Sequence, residues 1–487
     1  VHNKPRTLLG RADPPLTEHG AAQADALAQR LAAEGVDIVR TSPLARARQT
    51  GAAIAAASGA ELVVDDRLIE LFGDLPRLRT VFPAWFVPIF LLEAADVAGP
   101  KVLRLAIEDD GPGLAEDQRA AVLQRVADIY HERKEALAEI IAREMGKPVR
   151  QGRGEAGFVG DIYEFYAQHG PAFLADRDMK PLSGGGAIVR SESLGVLLGI
   201  MPWNYPYYQV ARFAGPNLLL GNTIILKHAS NCPESALAQE AIFRDAGLPD
   251  GAYINLFVDS RHVDSIIADP RVHGVSLTGS EKAGASVAES AGRALKKVVL
   301  ELGGSDPFIV LDDVNLDDTI AAAASGRMSN AGQACTAAKR FIIVDSVYER
   351  FVEGFAAKLQ TYVAGDPLDP ETNLGPLSSL GAVEELVEAV RDAVANGATL
   401  VTGGHRIGEV GSFMAPTLLT DVTPKARAFH DELFGPVAVV YRVADKDAAI
   451  ALANGSEFGL SSAVFGSNSD ETAYVADRLE SGMVYIN

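Results

Sequence analysis

"NTIILKHASNCPESALAQEAIFRDAG", Asn222 to Gly247, is a short apolar run followed by a helical pattern. An apolar run of this length between turn signals reads as a buried strand. The unit recurs along the chain. "HGVSLT" (His273–Thr278) is followed by "EKAGASVAESAGRAL" (Glu281–Leu295), and further strand candidates are "GVLLGIM" (Gly195–Met201), "KKVVLEL" (Lys296–Leu302), "PFIVL" (Pro307–Leu311) and "RFIIV" (Arg340–Val344). Strands alternating with helices predict an α/β fold, in doubly wound layers around a largely parallel sheet. Just before this region, Val122, Leu123, Val126 and Ile129, then Leu137, Ile140 and Ile141, recur at helical spacing. They predict an amphipathic helix or helix pair ending at Met145.

The chain has 487 residues, more than one core holds, so several domains are expected. A composition 48% hydrophobic and 22% charged is that of an ordinary globular protein. The formal net charge of -20 repels nucleic acid and anionic membrane, and neither is expected as a partner. The longest apolar run, "VFPAWFVPIFLL" (Val81–Leu92), carries two prolines and is shorter than the roughly 20 residues that cross a bilayer. The opening "VHNKPRTLLG" lacks the apolar stretch of a secretory signal. Two cysteines, Cys232 and Cys335, read as free thiols of a reducing compartment, and a cytoplasmic location is expected.

Three stretches differ in character. Up to Leu71 an Ala-rich αβ rhythm predicts a helix over "GAAQADALAQRLAAEG", a strand at "VDIV" and a second helix over "SPLARARQTGAAIAAASG". Residues 72–113, which include the strand candidate "KVLRLAIEDD", read as a linker or remnant. The regular α/β pattern occupies the rest.

Cys335, in "SNAGQACTAAKR" (Ser329–Arg340), raises the chemical question. A free thiol is only a few per cent ionised at neutral pH, so a catalytic cysteine needs a base, an oxyanion donor and an electron acceptor. Each has a candidate. Glu301 ends the strand of "LELGG", where a carboxylate can serve as base or as a structural partner. Asn204, in "MPWNYP", can donate its amide to an oxyanion or simply form a turn between prolines. Gly279 and Ser280, in "SLTGSEKAG", put backbone N–H groups at a helix N-terminus suited to a pyrophosphate, although this is not the G-x-G-x-x-G fingerprint. Lys227, in "IILKHASN", can reach ribose hydroxyls or stand in solvent at a strand end.

Taken together and in this order, "PWN", "LKHAS", "LTGS", "LELGG", "NAGQAC" and "ELFGPV" resemble the aldehyde dehydrogenase family over about Leu114 to Asn487. The resemblance implies a Rossmann-like NAD(P)-binding domain at 114–302, with an oligomerisation hairpin at 176–193. It implies a catalytic domain at 303–470 and a return to the cofactor domain at 471–487. It implies that Cys335 attacks an aldehyde, that Asn204 and the Cys335 N–H hold the oxyanion, that hydride leaves for a nicotinamide, and that Glu301 activates the hydrolytic water. Lys227, Ser280, Gly279, Glu432, Phe434 and Trp203 are then cofactor contacts. At Ser230 many NAD-preferring members carry a glutamate that grips both ribose hydroxyls. A carboxylate repels a 2′-phosphate and a hydroxyl does not, so NADP is expected, with NAD also possible. Lys227 adds positive charge there, and His228 is a second candidate for it. "LGIMPWNYPYYQVARFAGPNLLLGNTIILKHAS" resembles the succinate-semialdehyde dehydrogenase branch, in which an arginine at the position of Arg212 binds the distal carboxylate of the substrate. A second arginine of some members is replaced by Ser329. Tyr205, Tyr207 and Tyr208 can line the substrate tunnel or pack in the core. No metal is expected.

The resemblance does not extend to the front of the chain. "VHNKPRTLLGRADPPLTEHGAAQA", "TSPLARARQT" and "RLIEL" resemble the histidine phosphatase (phosphoglycerate-mutase-like) superfamily, with Arg46 at the phosphate-binding arginine and Glu70 near a catalytic acid. The Arg-His-Gly loop of that family is absent, and neither His2 nor His19 replaces its histidines, so phosphatase activity is not expected. "EDDGPG" resembles a fragment of the histidine-kinase ATP box without the rest of that fold. The chain ends at "GMVYIN", where the family usually continues into a closing loop and an oligomerisation strand. Homo-oligomerisation is therefore in doubt, and the alternative to an enzyme is a non-catalytic truncated fusion that keeps the cofactor-binding fold.

Overall fold

A computed structural model describes residues 114–179 and 187–487, together with 38–41, 45–59, 61–64, 91–93 and isolated positions between 21 and 29. The chain divides into two compact units, Val1–Glu108 and Asp109–Asn487. In the first, β1 (Ile38–Thr41) overlaps the strand expected at "VDIV" and α1 (Ala45–Ser58) the second expected helix, and β1 also pairs in parallel with β2 (Glu61–Val64). β3 (Leu91–Glu93) pairs with β1 in the antiparallel sense. Part of the stretch read as a linker thus completes a three-stranded sheet, because backbone pairing does not require the regular side-chain pattern on which sequence reading relies. Most of the helix over 20–35, the candidate strand at 101–110, "EDDGPG", His2, His19, Glu70 and the side chain of Arg46 lie outside the described residues.

The second unit starts with α2 (Glu116–Met145) and α3 (Val149–Leu174). The helical periodicity resolves into one long helix, not a pair. Gln118 Oε1 accepts the Ala115 N–H at its start, and Gly146, at φ 80°, closes it in the left-handed region where a side chain is strained. Leu123, Val126, Ile129, Leu137 and Ile141 all face inward from it. A short exposed hairpin, β4 (Arg177–Met179) and β5 (Ala187–Val189), falls within the segment predicted for one.

Two sheets follow. The first contains β6 (Val196–Met201), β7 (Thr223–His228), β8 (Tyr253–Asn255), β9 (Val272–Thr278) and β10 (Lys297–Glu301), all parallel, in the order β10-β9-β6-β7-β8. α4 (Tyr208–Leu220) and α5 (Pro233–Asp245) are crossovers, and α6 (Val263–Ala268) and α7 (Glu281–Arg293) flank β9. From β6 the chain runs out to β8, then returns to β9 on the other side. The strand order therefore reverses between β6 and β9, and ligands of open α/β sheets bind beyond the carboxyl ends at such a point. "PWN" follows β6 and Gly279–Ser280 follows β9, so the topology places both motifs there.

The second sheet has seven strands. β11 (Asp306–Val310), α8 (Leu316–Met328), β12 (Ala338–Val344), α9 (Tyr348–Leu359), α10 (Leu380–Ala395) and β13 (Thr399–Thr402) come first. A two-stranded ribbon, β14 (Arg406–Ile407) with β15 (Phe413–Met414), precedes β16 (Thr417–Thr420), β17 (Val437–Val443), β18 (Ser461–Phe465) and β19 (Met483–Ile486). The order is β13-β16-β17-β12-β11-β18-β19, and only β13 is antiparallel to its neighbour. The final segment was expected to return to the cofactor domain. Its strand β19 instead pairs with β18, because the edge of the second sheet offers it open backbone groups. Each sheet has its own core. One centres on Phe308, Phe341, Phe351 and Phe355, and the other on Tyr130, Tyr163, Phe243 and Tyr253.

Candidate active site

Cys335 stands on a loop that the chain ties down at every turn. After α8, Asn330 and Ala331 take left-handed conformations, φ 51° and 53°, and Gly332 a third, φ 76°. Asparagine and glycine tolerate this, whereas an alanine there costs about 1–2 kcal/mol that surrounding contacts must offset. Arg327, fully buried, supplies them. Its guanidinium donates to the carbonyls of Gly332 (2.9 Å), Ala338 (3.0 Å), Leu433 (3.0 Å) and Gly435. Gln333 donates to Asn330 O (3.1 Å) and accepts the Ser378 N–H (2.9 Å), and Gln151 accepts the Asn330 N–H (2.7 Å).

The same loop captures Asn204. Its Nδ2 donates to Gln333 O at 3.1 Å, two residues from Cys335, and its own carbonyl accepts Asn330 Nδ2 at 2.9 Å. An amide nitrogen carries two hydrogens, so one is left for an oxyanion beside the sulfur. The two segments meet although 131 positions separate them in sequence (335 minus 204).

Burial pushes the Cys335 thiol above its ordinary range, opposed by the charges of Lys339 and Arg212. The sequence reading missed Lys339. It is buried, donates to Cys335 O (2.9 Å), Ala337 O (3.1 Å) and Ala334 O (3.2 Å), and lies 3.4 Å from Glu432 Oε1. Burial pulls its ammonium down to about 8, with Glu432 holding it up. A lysine four positions after the cysteine was the available signal, but only the fold turns it inward.

Glu301, at the carboxyl end of β10, is held through its main chain, where its carbonyl accepts the Gly279 N–H at 2.9 Å. Its side chain meets Arg212 at 2.9 Å. Although burial opposes its charge, Arg212 is kept above its usual range by Glu301, and it also bonds Tyr208. Arg212, Glu301, Gln209, Met201 and Phe213 line a cavity of ≈ 450 Å³ between α4 and the sheet. Cys335 does not line it, yet the charge of Arg212 reaches the sulfur. Tyr205 lies beneath the site with the Lys147 ammonium 3.5 Å from its ring centre, and Lys147 in turn pairs with buried Glu155. Glu155 accepts the N–H groups of Tyr207 (3.0 Å) and Tyr208 (3.1 Å), which fixes the start of α4 and hence Arg212. Tyr207 is fully buried against Tyr130, so of its two expected roles it takes the packing one.

The remaining candidates ring the switch point. Ser280 caps α7, its Oγ accepting the Ala283 N–H at 3.4 Å. A Cβ on Gly279 would meet nothing nearer than 3.6 Å, so the backbone there is open to a ligand. Lys227 is half-buried with no ion-pair partner among the described residues, and Ser230 beside it is exposed. Trp203 and Phe434 meet edge to face, ring centres 5.9 Å apart, joining the two sheets. Glu432 accepts the Gly304 N–H at 3.1 Å. The capped start of α7, a lysine with no ion-pair partner among the described residues and the open position at Gly279 fit a dinucleotide pyrophosphate and ribose. His228 does not add charge as expected. Burial lowers its pKa to about 4, while Nδ1 accepts the Ala229 N–H and Nε2 faces Pro206 O at 2.9 Å.

Elsewhere, His131, Asp161 and Glu164 gather with ligand atoms within 4.8 Å of one another, and the His131–Asp161 pair at 3.4 Å accounts for their approach. Among the described residues no helix is long and apolar enough to cross a membrane.

Comparison with known proteins agrees with this geometry. Residues 113–487 match the model of the aldehyde dehydrogenase family, and residues 1–81 match that of the histidine phosphatase superfamily (branch 1). A succinate-semialdehyde dehydrogenase [NADP(+)] of Deinococcus radiodurans is 56% identical over 370 residues, 76% of this chain and 77% of the relative. The succinate semialdehyde dehydrogenase [NAD(P)+] Sad of Escherichia coli is 43% identical over 371 residues, 76% of this chain and 80% of the relative. The structure of succinic semialdehyde dehydrogenase from Streptococcus pyogenes in complex with NADP+ superposes with a TM-score of 0.75 at 42% identity, covering 76% of this chain and 81% of that one. With the Asn204 amide bonded into the loop that carries Cys335, beside a switch-point cleft, and with these likenesses over three quarters of its length, the chain belongs to the aldehyde dehydrogenase family.

Proposed function

We propose that the protein oxidises succinate semialdehyde to succinate with NADP, with NAD as a second acceptor. The observation that carries this is the meeting of Asn204 with the Cys335 loop, within reach of a guanidinium suited to a substrate carboxylate. The names of the relatives support the choice of substrate and cofactor.

Arg212 takes the distal carboxylate of the substrate and turns its aldehyde toward Cys335. The sulfur attacks the carbonyl carbon, and the free hydrogen of Asn204 Nδ2, with the Cys335 N–H, holds the oxyanion. Lys339 and Arg212 stabilise the thiolate that burial disfavours. A bound nicotinamide would supply the hydride acceptor for the thiohemiacetal carbon. Ser280, Gly279 and the first turn of α7 would hold its pyrophosphate, Lys227 and Ser230 its adenosine ribose phosphate, and Glu432, Phe434 and Trp203 its nicotinamide end. Glu301 then takes a proton from water, which adds to the thioester carbon as the C–S bond breaks. Succinate leaves, and the proton returns to the sulfur or to solvent.

In this reading 114–302 bind the cofactor and 303–470 present the nucleophile. The β4–β5 hairpin exposes Met179, Ile188 and Val189, which supports its use in self-association. The test is reduced-cofactor formation, followed by absorbance, with succinate semialdehyde and NADP. Cys335→Ala abolishes it while the folded protein still binds NADP. A folded wild-type protein silent with several aldehydes and both cofactors ends the proposal.

A further inference from the structure

Most charged groups of the site are held by several partners, but Arg212 and Glu301 are not. Arg327 bonds four carbonyls, Lys339 three carbonyls and a carboxylate, and Glu432 an ammonium and an amide N–H. Among the described residues Glu301's side chain has only Arg212, and Arg212 has only Glu301 and Tyr208. Both are partly exposed, at 31% and 38%, and both border the same cavity. Since the Glu301 main chain is pinned to Gly279, only its side-chain torsions are free to break the pair.

The pair also creates a conflict. While its carboxylate is engaged by the guanidinium, Glu301 is poorly placed to take a proton from water. While Arg212 is engaged by Glu301, it cannot bind a substrate carboxylate. One event resolves both. We propose that the Arg212–Glu301 ion pair is a substrate-operated latch, in which an aldehyde bearing a carboxylate takes Arg212 and so releases Glu301 for thioester hydrolysis. This rests on the aldehyde-oxidation reading above. The exchange costs little, because one carboxylate replaces another on the guanidinium and the released one is solvated. A pair this exposed is weak in water, so it opens readily for the right substrate. An aldehyde without a carboxylate is oxidised to the thioester but leaves the base latched, so its hydrolysis is slow.

The experiment compares succinate semialdehyde with butanal, which has the same carbon count and no carboxylate, in single-turnover and steady-state modes. With butanal and NADP, wild type gives a burst of about one reduced cofactor per site, then a slow phase. In Arg212→Met the burst slows, because the sulfur loses a stabilising charge, while the slow phase with butanal rises about fivefold and the KM for succinate semialdehyde rises on the order of a hundredfold. A second arm needs no variant. Acetaldehyde and acetate are the two halves of succinate semialdehyde, and acetate raises the steady-state rate with acetaldehyde while chloride at equal ionic strength does not. If Arg212→Met still reduces NADP with butanal but its slow phase is no faster, and acetate has no effect, the latch is refuted alone. No reduced cofactor from any aldehyde in wild type refutes the oxidation reading, and the latch with it.

Discussion

The loop that carries Cys335 and the carboxyl edge of the five-stranded sheet meet at one site but are built in opposite ways. The loop is buried, strained at Ala331, and fastened by Arg327, Gln333 and Lys339 to carbonyls from several segments. The sheet edge is open. Among the described residues Lys227 has no ion-pair partner, Ser230 is exposed, and Glu301 and Arg212 hold only each other and Tyr208. A nucleophile must hold its position relative to its oxyanion donor to within about half an ångström, so its support is redundant. Groups that receive and release cofactor, substrate and water must exchange partners, so theirs is not.

The contrast is sharpest at Arg327. Arg327→Met strands four carbonyls and removes a buried cation, and it should lower stability by about 3–5 kcal/mol, read as the midpoint of denaturant unfolding. A loss under 1 kcal/mol would mean the loop holds its strained shape unaided. Next is Asn204→Ala, which should lower kcat by about 10²–10³ with NADP affinity unchanged. An equal loss of cofactor affinity would show that the amide serves the cleft and not the sulfur.

His228 tests the floor of the open edge. Its pKa is depressed to about 4 by burial, so between the usual value near 6.5 and 4 the unfolded chain binds a proton that the folded one refuses. Stability should therefore be full above pH 6.5 and fall by about 3 kcal/mol as pH drops to 4. His228→Asn should flatten that part of the profile in pH-dependent unfolding. The smallest effect belongs to the most exposed position. Ser230→Glu should shift the NADP-to-NAD ratio of kcat/KM about tenfold toward NAD with stability unchanged. An unaltered ratio would place the 2′-phosphate elsewhere.

Much of this was legible in residues. The strand–helix alternation predicted a parallel sheet, and the glycine-flanked ends of "SLTGS" and "LELGG" marked its carboxyl edge. Other features were not. The long helix from Glu116 was read as one or two, because amphipathic spacing does not reveal whether the axis is broken. Lys339 gives only a weak signal in sequence, since a lone lysine is usually solvated. Only the loop carbonyls around it, brought together by β12 and "ELFGPV", make its burial tolerable. His228 is only a candidate source of charge in sequence, because its burial cannot be read from its neighbours.

Sequence by itself determined which chemical groups are present and at which strand ends, because hydrophobic period and turn residues are local properties of the chain. Tertiary structure alone decided that Asn204 donates beside Cys335, that Lys339 faces inward, and that Arg212 grips Glu301 before any substrate does. Those pairings join residues 89 or more positions apart, or depend on how deeply a group is buried. Neither distance nor burial exists until the sheets have packed.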